Sequence, residues 1–344
     1  MYQIQKIDAE ITNRCNAACP QCPRTGTYNG VSKLIDASGM HDVPVEVIEG
    51  ILTSKYGFGI DKFTYCGNYG DPIMHPKALE IFEMVSFYGV KYQRIDSNAS
   101  ARNPEWWSNV GKIPGFTTQF AIDGLEDTNH LYRVKTNWSR IMENAEAFIK
   151  AGGNATWLFL VFEHNQHQVE EAKELSEKMG FKDFKIKLST RNFTPGDPLK
   201  PKVNLYKRKK NSEVKKANIK FSNKEKFQSD LIKEGLKQFA IKPMCENSRQ
   251  LFLTSDSRII PCCHVQSTMW ERKFLPADHK KEPEFADFIE INRVKTELDK
   301  YSFDEIVDSY TEHYPVLKSH WDEKNITTCN RKCGSNFKNE VRPY

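Results

Sequence analysis

The chain has 344 residues, of which 39% are hydrophobic and 12% aromatic, so it can bury a large core and is not a disordered protein. No stretch approaches the roughly 18 consecutive apolar residues that a membrane-spanning helix needs, and the N-terminus shows no signal-peptide pattern. The formal net charge is +5, and the chain contains nine cysteines. We therefore expect a cytoplasmic, reducing setting without a membrane partner, in which cysteines favour metal or cluster ligation over disulfides.

Strand and helix patterns alternate over the first 190 residues. Strands are predicted over residues 4–12, 61–67, 91–97, 117–123, 155–162 and 181–189. Helices are predicted over residues 43–57, 76–89, 103–110, 139–153 and 168–180. This order indicates an α/β fold with a parallel sheet in a first domain, residues 1–192. Two architectures remain open, a partial (β/α)6 barrel like three quarters of a TIM barrel and a doubly wound sheet. In both, the chemistry gathers beyond the carboxyl ends of the strands.

The composition changes after this domain. Between Lys200 and Lys237 there are 13 Lys and Arg residues against 4 Asp and Glu residues. We interpret residues 193–242 as a solvated basic linker or insertion; contact with an acidic partner or nucleic acid is the alternative. Residues 243–344 are predicted to form a second, smaller domain. It begins with a β-hairpin over residues 249–263, turning at residues 255–257, and contains a helix over residues 303–314.

Three cysteines lie within eight positions directly after the first predicted strand: Cys15, Cys19 and Cys22. The polar, loop-like surroundings argue against three buried structural thiols. Zinc with a distant fourth ligand is one possibility, because thiolates at such spacings bind zinc. A [4Fe–4S] cluster is the other, and with only three local thiolates one iron would stay open to a further ligand. The spacing alone leaves both open.

The spacing Cys15-x3-Cys19-x2-Cys22 after a first strand resembles the signature of the radical S-adenosylmethionine (radical SAM) superfamily, and the resemblance covers about residues 4–190. It implies a partial barrel that holds a [4Fe–4S] cluster and S-adenosylmethionine (AdoMet), with the methionine amine and carboxylate on the open iron. An electron from an external donor of the flavodoxin or ferredoxin type would then give methionine and a 5′-deoxyadenosyl radical. Family members often carry an aromatic residue just before the third cysteine, where this chain has Gln21.

Loops after the next strands carry further family motifs. Tyr69-Gly70-Asp71-Pro72 resembles a Gly-Gly-Glu-Pro motif, with Asp in place of Glu and Tyr in place of the first Gly. In the family this motif holds the methionine ammonium, a cation suited to a carboxylate. Ser97 and Asn98 resemble a turn that reaches the ribose or the carboxylate of the cofactor. Asp123 and Arg133 match a later Asp-Gly…Arg pattern, and Arg133 is expected to pair with an anionic group such as the cofactor carboxylate. The alternative readings are an ordinary Gly-Asp-Pro turn and a surface salt bridge.

The remaining cysteines, apart from Cys66, cluster in the second domain. One precedes the hairpin, a pair ends it, and two lie near the C-terminus, an arrangement that resembles the SPASM/twitch extension of radical SAM enzymes. It implies one auxiliary [4Fe–4S] cluster. Its expected ligands are Cys245, Cys262, Cys329 and Cys333. Cys263 is left as a spare or alternate ligand, and a four-thiolate zinc site is the alternative.

The sequence therefore predicts an enzyme of the radical SAM oxidoreductase type with two [4Fe–4S] clusters and AdoMet. The 5′-deoxyadenosyl radical is expected to abstract hydrogen from a peptide or protein, giving a net oxidation or cross-link. Dehydrogenation of a small alcohol or sugar is the alternative. Two other hypotheses use the basic residues 200–237: a nucleic-acid-modifying radical enzyme, and a zinc-stabilised nucleic-acid-binding protein. Nucleic acid is possible as a partner but not favoured, because no recognised binding motif accompanies the basic residues.

Overall fold

The computed structural model describes residues 3–22, 24, 27–28, 31–32, 39–188, 241, 243–266, 269, 285–323, 326, 328–329 and 333. The basic stretch between Lys200 and Lys237 lies outside these residues, so its role stays a prediction. None of the helices within the described residues is long and apolar enough to cross a membrane.

The described strands form one eight-stranded, mostly parallel sheet and a separate two-stranded ribbon. In chain order they are β1 (Lys6–Ala9), β2 (Thr27–Tyr28), β3 (Val31–Ser32), β4 (Lys62–Tyr65), β5 (Tyr92–Ser97), β6 (Phe116–Ala121), β7 (Asn154–Val161), β8 (Asp183–Leu188), β9 (Gln250–Leu253) and β10 (Ile259–Ile260). The strand order in the large sheet is β10-β9-β1-β4-β5-β6-β7-β8, and β2 pairs with β3 in the ribbon.

Helices connect the parallel strands. They are α1 (Val45–Thr53), α2 (Ala78–Phe87), α3 (Pro104–Gly111), α4 (Asn129–Tyr132), α5 (Trp138–Lys150), α6 (Val169–Met179), α7 (Met244–Asn247), α8 (Phe285–Asn292) and α9 (Phe303–Asp322). Short 3-10 helices lie at Gly57–Gly59, Pro72–Met74 and Gln166–Gln168.

The order of the six parallel strands from β1 to β8 decides between the two predicted architectures. Each of these strands pairs in parallel with its successor among the six. A doubly wound sheet reverses its strand order at a switch point, and this series does not. The α/β class and the six-strand series of a partial barrel are therefore confirmed, although the described sheet is not closed.

Local sequence explains where these elements begin. The Asn103 side chain accepts a hydrogen bond from the Trp106 amide, and Pro104 occupies the first helical position of α3, as predicted. The inner faces of the helices bury large apolar side chains against the sheet, among them Trp107 and Phe148. The buried aromatic residues thus hold the helix layer in place and leave the carboxyl ends of the strands available for a site.

The hairpin of the second predicted domain is part of the main sheet. Strand β9 pairs in parallel with β1, from Lys6 with Gln250 to Ala9 with Leu253, and β10 pairs with β9 in the antiparallel direction. The sequence indicated the hairpin but not its neighbour. It also missed α8, and it ended the last helix early, since α9 runs through Pro315 to Asp322.

The pairing of β9 with β1 predicts that the hairpin and the barrel strands unfold together. Phe252 is fully buried in the main core cluster. We expect Phe252→Ala to lower the free energy of unfolding by about 3–5 kcal/mol, because deletion of a buried ring leaves a cavity. Urea unfolding followed by tryptophan fluorescence measures this. Phe58, which is 88% exposed, supplies the matched control Phe58→Ala. A separate transition that spares the barrel would contradict the prediction.

Candidate functional site

The loop that follows β1 holds the three closely spaced cysteines at the carboxyl edge of the sheet. Cys19 is buried and packs with Ala17, Tyr132 and Phe162, while Cys15 and Cys22 are half-buried beside them. The backbone amide of Cys22 donates to the carbonyl of Cys19 at 3.0 Å. Burial raises the pKa of the Cys15 thiol to about 12, and the Asp71 carboxylate adds to this rise. Cys19 and Cys22 contribute to a smaller extent, so the three thiols also interact electrostatically.

The loop that follows β4 lies directly against the cysteine loop. A Cβ atom at Gly70 would overlap the carbonyl oxygen of Thr12 and lie 2.8 Å from the Cα atom of Asn13. The backbone amide of Asp71 donates to the carbonyl of Arg14 at 2.8 Å. Only a glycine allows this approach, so Gly70 joins the two loops through their backbones.

Asp71 joins this pair of loops to the carboxyl end of β5. Its Oδ2 atom accepts from the Ser97 hydroxyl at 3.1 Å, the Asn98 backbone amide at 2.8 Å and the Asn98 side-chain amide at 2.6 Å. Burial raises the pKa of Asp71 to about 6, although these donors favour the ionised form. The Asn98 side chain also donates to Asn16 at 3.0 Å and lies 3.8 Å from the Cys15 sulfur. Asp71, Ser97 and Asn98 are thereby brought beside the first cysteine.

Arg133 and Asp123 form a buried ion pair on the other side of the cysteine loop. The Arg133 Nε atom donates to Asp123 Oδ2 at 2.6 Å, and its guanidinium lies 3.9 Å from the Cys19 sulfur. The other Asp123 oxygen accepts from the Leu160 amide at 2.7 Å. Burial raises the pKa of Asp123, and the Arg133 charge opposes that rise. Arg133 is therefore held in the site, with its positive charge facing a cysteine sulfur.

Glu10, directly after β1, is a site residue that sequence reasoning missed. It is fully buried, and its Oε1 atom accepts from the backbone amides of Tyr69 at 2.6 Å and Gly70 at 3.1 Å. Burial raises the pKa of Glu10 to about 7, against the effect of these donors. A signal for it exists in the sequence, because Lys6, Asp8 and Glu10 alternate with apolar residues and so share one face of the first strand.

A cavity of about 180 Å³ lies beside the starts of β1 and β9, away from the three-cysteine loop. Its walls include Lys6, Asp8, Gln250 and apolar side chains such as Phe285 and Trp321. Five cysteines also line it: Cys245, Cys262, Cys263, Cys329 and Cys333. The four predicted auxiliary ligands and the spare cysteine are thus brought to one cavity from three separate segments of the chain.

The thiols of this cavity interact electrostatically with one another. Burial raises the pKa of Cys245 to about 12, with further contributions from Cys329 and Cys333. Burial, then Cys245 and then Cys263 raise the pKa of Cys262, and Cys263 also acts on Cys66, which directly follows β4. Among the described residues, no group of three or more His, Cys, Asp or Glu side chains is arranged to hold a single metal ion.

The predicted site residues therefore fall into two places. The first, at the carboxyl ends of β1, β4, β5 and β6, contains Cys15, Cys19, Cys22, Tyr69, Gly70, Asp71, Pro72, Ser97, Asn98, Asp123 and Arg133. The second is the cavity lined by the five cysteines of the C-terminal segment.

Comparison with protein-family models and with curated proteins finds no match. Among solved structures, SuiB of Streptococcus suis bound to S-adenosylmethionine is similar with a TM-score of 0.50 and 12% identity, over 76% of this chain and 61% of SuiB. Native anSMEcpe with bound AdoMet and Cp18Cys peptide is similar with a TM-score of 0.50 and 14% identity, over 98% of this chain and 85% of that chain. This chain thus spans about three fifths of the length of SuiB. Both structures contain bound S-adenosylmethionine, and the similarity shows that this chain shares their fold.

The contact between Gly70 and the cysteine loop yields a stability prediction. We expect Gly70→Ala to lower the free energy of unfolding by about 2 kcal/mol or more, because the new methyl group would displace backbone atoms. Gly50, within α1, has no atom within 4 Å of an added Cβ and provides the matched control Gly50→Ala. That control should be neutral or slightly stabilising. Chemical unfolding measures both variants, and equal stabilities would contradict the packing described.

Proposed function

We propose that this protein is a radical SAM enzyme in which Cys15, Cys19 and Cys22 hold a [4Fe–4S] cluster and the neighbouring loops bind AdoMet. One observation carries the proposal: a three-cysteine loop lies in direct contact with a Gly70–Asp71 turn and with Asn98, at the carboxyl ends of parallel strands, and Ser97 donates to the same Asp71 carboxylate. A zinc scaffold has no need of a buried carboxylate beside its thiolates, whereas a cofactor with an ammonium group does.

The residues of the first site suit these groups chemically. Oδ2 of Asp71 already accepts three hydrogen bonds, whereas Oδ1 has, among the described residues, only a long contact of 3.4 Å to the Ile73 amide. Oδ1 therefore keeps acceptor capacity for a cationic amine. Gly70 lets the backbone approach closely, and the Arg133 guanidinium stabilises negative charge at Cys19.

The cavity lined by the five cysteines of the C-terminal segment suits an auxiliary [4Fe–4S] cluster held by Cys245, Cys262, Cys329 and Cys333. Four thiolates would fill the coordination of such a cluster, and its apolar walls would limit access of water. When bound, the first cluster and AdoMet, with an electron from an external reductant, would supply a 5′-deoxyadenosyl radical that abstracts hydrogen from substrate, and the auxiliary cluster would supply an acceptor for the remaining electron. The protein's part is to hold, orient and enclose these groups.

For the substrate we propose a peptide or protein that undergoes net oxidation or cross-linking. The support is the similarity over most of both chains to anSMEcpe, whose structure contains a bound peptide. A dehydrogenase of a small alcohol or sugar is the alternative.

Anaerobic incubation of the reduced protein with AdoMet and candidate substrates distinguishes the two, because 5′-deoxyadenosine should form in proportion to the modified substrate.

The two cysteine sets should account separately for the bound iron. Anaerobically reconstituted protein is expected to contain about eight iron and eight sulfide per chain. Cys15→Ala should retain about four of each and form no 5′-deoxyadenosine, and Cys245→Ala should retain about four with the first cluster present. Cys66→Ala is the control and should retain about eight. A colourless protein with stoichiometric zinc would contradict the proposal.

Asp71→Asn should weaken AdoMet binding at least tenfold without loss of iron. The substituted amide would remove the negative charge and present a donor in a site that already supplies several donors to residue 71. Equilibrium dialysis under anaerobic conditions measures the dissociation constant. The control is Asp61→Asn, just before the opposite end of β4. Unchanged affinity in Asp71→Asn would remove Asp71 from the cofactor site.

A further inference from the structure

The Glu10 carboxylate contacts the two cysteine-bearing parts of the protein at once. Its Oε1 atom holds the Tyr69 and Gly70 amides of the loop proposed to bind AdoMet. Its Oε2 atom accepts from the side-chain amide of Gln266 at 2.6 Å. Gln266 belongs to helical residues 263–266, directly after Cys262. One buried carboxylate therefore joins the cofactor loop to the segment that leaves the second site.

Asn68 closes this connection into a ring. Its side-chain amide donates to the Gln266 oxygen at 2.6 Å and to the Cys263 carbonyl at 2.9 Å. Asn68 itself precedes Tyr69 in the cofactor loop. The ring runs from Asn68 to Gln266, from Gln266 to Glu10, and from Glu10 back to Tyr69, which follows Asn68 in the chain. The hydrogen bond from Asn68 to the Cys263 carbonyl links this ring to the second site.

The chemistry of this chain of hydrogen bonds requires an acceptor at position 10. A backbone carbonyl only accepts, so Asn68 must present its NH2 group to Cys263 and to Gln266. Gln266 must then present its oxygen to Asn68 and its NH2 group to residue 10. A glutamine at position 10, with its oxygen kept on the two backbone amides, would place one NH2 group against another. Burial makes such a mismatch costly.

We infer that Glu10 is a positioning residue that couples occupancy of the second cysteine site to AdoMet binding at the first. Ligation of Cys262 fixes the position of residues 263–266, Gln266 transmits that position to Glu10, and Glu10 sets the backbone of Tyr69 and Gly70. Coupling of this kind is reciprocal, and typical values change affinity by a factor of about 5 to 150. The inference rests on the proposed function.

The test measures AdoMet affinity rather than turnover. Equilibrium dialysis with the oxidised protein at pH 8 gives the dissociation constant with the second site complete and with the site disabled by Cys245→Ala. In the otherwise wild-type chain, Cys245→Ala should weaken AdoMet binding by about tenfold. Gln266→Met removes the hydrogen bonds that Gln266 makes to Glu10 and Asn68, but it leaves both contacts from Glu10 to the loop and the hydrogen bond from Asn68 to Cys263. In that background, the effect of Cys245→Ala on the affinity should fall from about tenfold to about threefold or less.

A double substitution tests the direction of the hydrogen bonds. Glu10→Gln should weaken AdoMet binding, and Glu10→Gln combined with Gln266→Glu should restore it. In the double variant, residue 10 donates to the carboxylate at position 266, which in turn accepts from Asn68. The control Asp96→Asn changes an acid on β5 that lies outside this chain of hydrogen bonds. It should leave the effect of Cys245→Ala at its wild-type size.

An effect of Cys245→Ala that is equal in the wild-type and Gln266→Met backgrounds overturns the coupling. A double variant that binds AdoMet as weakly as Glu10→Gln alone overturns it as well. Failure of the proposed function is read separately, from a wild-type protein that takes up no iron–sulfur cluster and binds no AdoMet, and it removes the basis of the inference.

Discussion

The parallel pairing of β1, β4, β5 and β6 in chain order is the constraint on which the site depends. Successive parallel strands end at the same edge of the sheet, so the loops that follow them meet although they lie far apart in sequence. Cys15, Asp71 and Asn98 come from three such loops, and a hydrogen-bond network joins them.

Buried charge gives the site its chemical character. Three carboxylates, Glu10, Asp71 and Asp123, lie in or next to it, and each is met by backbone amides. Arg133 partly balances their charge through its ion pair with Asp123. A buried carboxylate is costly unless hydrogen-bond donors surround it. Because each of these three has such donors, the hydrogen bonds hold the loops in fixed positions. A rigid, polar cradle beside three thiols suits a cluster that must keep one coordination position for a charged cofactor.

Much of this was predictable from local sequence, and the remainder depended on contacts between distant residues. The periodic strands, the Asn103 cap and the grouped cysteines are local signals, and the structure contains the corresponding elements. The pairing of β9 with β1 was not predictable, since strand spacing does not identify the neighbour of a hairpin 244 residues away. The role of Glu10 was missed for the same reason, because its partners Tyr69, Gly70 and Gln266 come from two distant segments.

The central claim is that three thiolates leave a position at which AdoMet binds through its amino and carboxylate groups. The most direct test is electron–nuclear double resonance on the reduced Cys245→Ala protein, which isolates the first cluster, with AdoMet carrying 15N in the methionine amine. A 15N coupling to the cluster is expected, and it should disappear in the Cys15→Ala/Cys245→Ala protein. A reduced cluster whose spectrum is unchanged by AdoMet, with no 15N coupling, would contradict this claim.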